Sequence, residues 1–142
     1  MSGGRMLLRR IIVGTSAVLL LATGLTSAQT AHADYQPWGR TAAADQLLKP
    51  SCAHYHYRYR ISPPRNDWAA ELFLMGPRGG HIASAALDVD SDPAVGRESW
   101  RLCRPSIIPG RYKIRMKITW LDGYDKHEGW VKPSYFRLQR RR

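Results

Sequence analysis

Between Arg111 and Trp120 the chain alternates without a break. Tyr112, Ile114, Met116, Ile118 and Trp120 take one set of positions; Arg111, Lys113, Arg115, Lys117 and Thr119 take the other. A period of two puts successive side chains on opposite faces of an extended strand, here one apolar and one wetted. A helix would need a repeat of 3.6, and this segment has none. The same period recurs upstream. In His54 to Ile61, Tyr55, Tyr57, Tyr59 and Ile61 oppose His54, His56, Arg58 and Arg60, and in Glu98 to Cys103, Trp100 and Leu102 oppose Ser99 and Arg101.

Turn signals separate these runs. Ser62 to Asp67 holds two prolines and ends the first strand. Trp68 to Met75, the turn Gly76-Pro77-Arg78-Gly79-Gly80 and His81 to Val89 read together as a hairpin. Asp90 to Gly96 is a polar loop, Pro105 and Pro109-Gly110 punctuate the next connection, and Leu121 to Gly129 reads as a turn region. Trp130 to Leu138 is a last strand broken by Pro133. Residues 34–51 look irregular, with one or two helical turns expected over Thr41 to Leu48. The expectation is an all-β, antiparallel β-sandwich of six or seven short strands.

The first 33 residues are of another kind. Arg5, Arg9 and Arg10 precede an interrupted apolar run from Ile11 to Leu25, and Ala31-His32-Ala33 offers small residues at a cleavage position. That pattern predicts a secretory signal peptide over 1–33. An uncleaved anchor is the competing reading, disfavoured because a membrane-spanning helix needs about 20 apolar residues. The remaining divisions are an irregular segment 34–51, a sandwich over 52–139 and a basic tail 140–142. A secreted, extracellular, freely released monomer with no stable membrane anchor is expected.

Export gives the cysteines a meaning. Cys52 and Cys103 make an even pair without Cys-x-x-Cys spacing, which in an oxidising compartment predicts one disulfide. Closing a loop of that size contributes roughly 4 kcal/mol in the chain-entropy account. Removing the signal also changes the charge. Three of the 22 Lys+Arg and none of the 11 Asp+Glu lie in it, so the exported 109 residues carry +8. Such a balance favours anionic partners such as cell-wall polymers, nucleic acid or acidic membranes, and no specific nucleic-acid role is expected.

Further motifs carry a resemblance. Pro109-Gly110-Arg111-Tyr112-Lys113-Ile114 resembles the Pro-Gly-x-Tyr-x-(Val/Ile) start of the penultimate strand in many immunoglobulin-like domains. From Cys52 to Leu138, the Leu74-Met75-Gly76-Pro77-Arg78-Gly79 hairpin and Cys103 resemble small secreted immunoglobulin-like domains of high-GC Gram-positive bacteria. The resemblance implies an immunoglobulin-like sandwich and a tyrosine corner, in which the Tyr112 hydroxyl caps the preceding loop. It implies no activity. Antibody-type domains place their cysteines on two facing strands, whereas Cys52 and Cys103 precede those positions.

The leading candidate site is the basic face of Arg111, Lys113, Arg115 and Lys117. Its cations repeat about every 7 Å along the strand, suiting a linear polyanion. Arg58 and Arg60 extend it if their strand shares the sheet. An ordinary solvated strand face is the alternative. Asp88, Asp90 and Asp92 alternate as calcium ligands do in the first part of an EF-hand loop, but Pro93 follows and the later Gly and Glu are missing. A self-bonded Asp turn competes with that reading. His54 and His56 form a metal pair only if His81 or His127 joins them. No cofactor motif is present, Ser84, Ser99, Ser106 and Ser134 lack a nucleophile-elbow context, and nothing links Glu71 with Glu128 as paired carboxylates. Trp38 and Trp130 are the tryptophans to inspect for exposure. The functional expectation is a non-enzymatic binding or structural module for an anionic extracellular polymer or a protein partner. A small inhibitor presenting the Asp90 to Gly96 loop is the alternative, and a hydrolase the third.

Overall fold

The computed structural model describes residues 34–140; residues 1–33, where a signal peptide is expected, and the last two arginines lie outside them. Nine strands form in chain order: β1 Gly39–Ala42, β2 Gln46–Leu47, β3 Ala53–Ile61, β4 Trp68–Met75, β5 His81–Asp88, β6 Val95–Leu102, β7 Gly110–Asp122, β8 Asp125–Trp130 and β9 Ser134–Gln139. One 3-10 turn, Arg104–Ser106, interrupts them. The small sheet runs β1-β3-β6 and the large one β2-β9-β7-β4-β5, with β8 beside the second half of β7. The chain crosses between sheets from β1 to β2, back from β2 to β3, and again from β3 to β4, from β5 to β6 and from β6 to β7. The two sheets make an immunoglobulin-like β-sandwich.

The alternation explains the layers. Tyr55, Tyr57, Tyr59, Ile61, Trp100 and Leu102 point inward from the small sheet. Leu72, Leu74, Tyr112, Ile114, Met116, Ile118, Phe136 and Leu138 meet them from the large one, and all are buried. Each such side chain contributes on the order of 1.5–3 kcal/mol by leaving water. Tyr57 stacks on Trp100 with centroids 3.9 Å apart. The tyrosine corner forms: the Tyr112 hydroxyl donates to the Ile108 carbonyl at 2.8 Å and accepts the Ile108 N–H at 3.1 Å.

The disulfide Cys52–Cys103 is present. Ala53 pairs with Leu102 in the β3–β6 ladder, so the bridge closes the next rung of that ladder. It staples two neighbouring strands of one sheet at one end of the sandwich and does not cross the core.

Three expectations need correction. Residues 34–51 are neither irregular nor helical over Thr41 to Leu48. They supply β1, paired antiparallel with β3, and β2, paired parallel with β9. Their partners are distant in sequence, so no local period reveals them. The Thr41 hydroxyl meets that of Ser134 at 2.6 Å between the sheets, and the Arg137 N–H donates to the Asp45 carboxylate at 2.7 Å. The Leu121 to Gly129 turn region shrinks to Gly123-Tyr124, because β8 pairs with an extension of β7. Its Asp125 to Glu128 residues are exposed, so no apolar face marks it as a strand. Trp130 to Leu138 therefore divides between the end of β8 and β9 around Pro133, and the strand count rises from six or seven to nine.

Candidate functional site

The outer face of the small sheet is built by three short runs of alternation. With the core residues inward, β1 turns Arg40 and Ala42 outward, β3 turns His54, His56, Arg58 and Arg60, and β6 turns Val95, Arg97, Ser99 and Arg101. That face holds five arginines, two histidines and no carboxylate. The register sets like charges directly opposite one another, Arg40 against Arg60 and Arg58 against Arg97. Directly opposed like charges on a sheet are destabilising, by a few tenths to about 1 kcal/mol per pair. All five arginines are exposed. The ion pairs among the described residues are Arg65–Asp122, Lys117–Glu71 and Lys126–Glu128, so none relieves this face.

The face is shallowly furrowed. Two adjoining hollows of about 460 and 320 Å³ share Ala42 and Arg58, where the small alanine leaves room beside the longer side chains. Gln46 borders the larger one. Its amide accepts the His56 N–H at 3.1 Å and donates to the His56 carbonyl at 3.0 Å, covering the edge of β3 beyond the end of β1.

The β7 row faces the other way. Arg58 and Arg60 therefore do not extend it: β3 belongs to the small sheet, and the core lies between them and β7. Of the four expected cations, Lys117 is engaged by Glu71 at 2.8 Å, and this bond raises the lysine pKa. The other three remain, and aromatic rings hold two of them. Arg111 lies 4.0 Å over the Tyr135 ring and Arg115 3.9 Å over that of Trp130. A guanidinium stacked in this way keeps its in-plane N–H donors directed outward. Arg137 stands opposite Arg111 and adds a fourth cation. Trp130, half-buried, is a seat for Arg115 and not a bare stacking platform, and Trp38 packs edge-on against Trp120.

The other candidates disperse. Asp88 accepts the N–H groups of Asp90 and Ser91, and Asp92 accepts that of Asp88, so two of the three carboxylates cap their own turn. Among the described residues no three His, Cys, Asp or Glu side chains gather to hold a metal. His54 bonds Ser99, His81 lies beside Phe73 on the large sheet, and His127 stacks on Trp120. Glu71 and Glu128 each face a lysine instead of one another. The Val89 to Ala94 connection lies at the far end of β6 from Cys103, about 25 Å away by strand rise.

Sequence reasoning missed Arg40, Arg97, Arg101 and Arg137 as site residues. The wet positions of Arg97 and Arg101 were readable in the alternation around Trp100; which arginines share a face depends on pairing. The fold and its surfaces define a disulfide-linked β-sandwich with a basic outer face on each sheet. No known protein family matches the chain, and neither does any curated protein or solved structure. A disulfide-bonded β domain with no membrane-crossing helix among the described residues is compatible with an extracellular location.

Proposed function

We propose that this protein is a secreted, non-enzymatic module that binds a linear anionic polymer outside the cell, principally through the outer face of the small sheet. One observation carries the reading. Arg40, Arg58, Arg60, Arg97 and Arg101 share a face without a carboxylate, in a register that opposes arginine to arginine. Such an arrangement costs stability in the free protein and is relieved by a bound polyanion. Arginine suits the task, because its planar fork meets phosphate, sulfate or carboxylate with paired hydrogen bonds. The signal-peptide pattern and the disulfide support the compartment.

The test is retention on heparin and on wall teichoic acid across a salt series. Wild-type binding should fall linearly in log–log form as salt rises. Arg58→Ser/Arg97→Ser should reduce both the affinity and the salt slope, the slope by about two. Lys113→Ser/Arg115→Ser should weaken binding less. Weak retention that neither pair of substitutions changes would show diffuse charge and overturn the reading.

A further inference from the structure

The loops are sorted by charge along the strand axis. At the disulfide end the described loop residues carry Lys49, Arg78, Arg104 and Arg140 and no carboxylate side chain. At the opposite end, Asp67, Asp88, Asp90, Asp92, Asp122 and Asp125 crowd the turns, with Arg65 already bonded to Asp122. The two basic faces are thus separated by acid at one end and joined by base at the other. The joining residues form a surface of their own. Lys49, Arg104 and Arg140 line a hollow of about 500 Å³ with Leu48 and Pro50. Arg104 is held in place by donating to the Ile107 carbonyl at 2.8 Å, which leaves its other donors free. On one side of this hollow the small sheet ends in Arg101, opposite His54. On the other, the large sheet begins with Arg111 opposite Arg137. Asp45 borders that route, and it accepts the Arg137 N–H with the Gln139 amide 3.5 Å away.

We propose that a single polyanion chain saddles the disulfide end, running from the small-sheet arginines across Lys49, Arg104 and Arg140 to Arg111 and Arg137 on the large sheet. The acidic end then points away from the polymer. This rests on the polyanion reading above and adds a path, a direction and a minimum ligand length. Strand rise and sheet spacing put the track at roughly 40 Å. A polymer shorter than that engages one face; a longer one engages both and the end between them.

The experiment measures affinity for heparin fractions of increasing length, using wild type, Lys49→Ser/Arg140→Ser and, as a control, Asp67→Asn/Asp125→Asn. Both substituted pairs are exposed and outside the core, and thermal melts check that each variant folds. Wild-type affinity should climb steeply once fractions reach the track length. Lys49→Ser/Arg140→Ser should lose about tenfold on long fractions, with a salt slope lower by about two, and bind the shortest fractions as wild type does. The control pair should not weaken binding. Equal binding of long fractions by wild type and the Lys49/Arg140 variant would overturn the saddle while leaving the arginine face standing. Clustering of heparin-coated beads by monomeric wild-type protein would also overturn it, since each face would then hold its own chain. Absence of heparin binding by wild type would remove the polyanion reading itself.

Discussion

Pro77 stands where a side chain on Gly110 would be: a Cβ there would lie 2.7 Å from the proline Cγ. The two motifs that carried the resemblance, the Gly-Pro hairpin after β4 and the Pro-Gly before β7, thus touch at the disulfide end. Gly110 also has a φ of +148°, a conformation that L side chains rarely adopt. Gly110→Ala combines backbone strain with overpacking and should cost about 2–4 kcal/mol in urea unfolding. Adding Pro77→Ala should recover only a small part of that loss, since it removes the Cγ contact but keeps a Cβ 2.8 Å away and leaves the strain.

The corner below Gly110 gives a second expectation. Tyr112 is fully buried, and its hydroxyl serves both backbone groups of Ile108. Tyr112→Phe leaves those groups short of a partner and should destabilise by about 1–3 kcal/mol, with little change in far-UV circular dichroism.

Tyr57 should respond in the opposite sense. Its hydroxyl is buried with no hydrogen-bond partner among the described residues. Tyr57→Phe should therefore be neutral or stabilising, by up to about 1 kcal/mol. Burial, with a smaller contribution from Glu98, also holds the Tyr57 phenol far above its ordinary value near 10. Burial raises Tyr59 and Tyr112 as well. A phenol whose folded pKa is raised keeps its proton when the unfolded chain has lost one. Stability from these groups is thus complete below about pH 10 and declines as the pH rises above it. Urea midpoints should hold level to about pH 10 and then fall, less steeply in Tyr57→Phe.

Reduction of Cys52–Cys103 should lower unfolding stability by about 4 kcal/mol, given the sequence separation of 51. Because the bridge only continues the β3–β6 ladder, the folded reduced protein should keep its sandwich. Melting with and without reductant, and in Cys52→Ser/Cys103→Ser, measures the difference; an unchanged melting point would show that the bridge adds nothing.

Arg97 offers a trade between stability and binding. Arg97→Glu replaces the opposition to Arg58 with an attraction and should raise the urea midpoint at low salt, by up to about 1 kcal/mol. The same substitution should weaken heparin binding by about tenfold or more. Gain in one and loss in the other would mark a face kept for an anion; loss in both would mark Arg97 as a structural residue.

Much of this was legible along the chain. The tyrosine row of β3, the Trp68 to Met75 strand, the hairpin at Gly76 to Gly80 and the β7 alternation are local patterns, and local backbone geometry is what they report. The strands β1, β2 and β8 were not legible. The first two are too short to show a period, and the third lies where neither face is apolar. The basic residues of β3 and β7 were readable as wet, but their assignment to one patch was not.

The sequence by itself determined which side chain of each pair turns inward, because a period of two leaves no other choice once one set is apolar. It also determined that two cysteines and a large excess of arginine and lysine follow the signal pattern. Only the tertiary structure decided that Arg58 and Arg115 face opposite ways, that Arg97 stands against Arg58, and that the basic loops collect at the disulfide end. Those facts depend on which sheet a strand joins and in what register. Both follow from contacts between residues far apart in the chain, where no local pattern can reach.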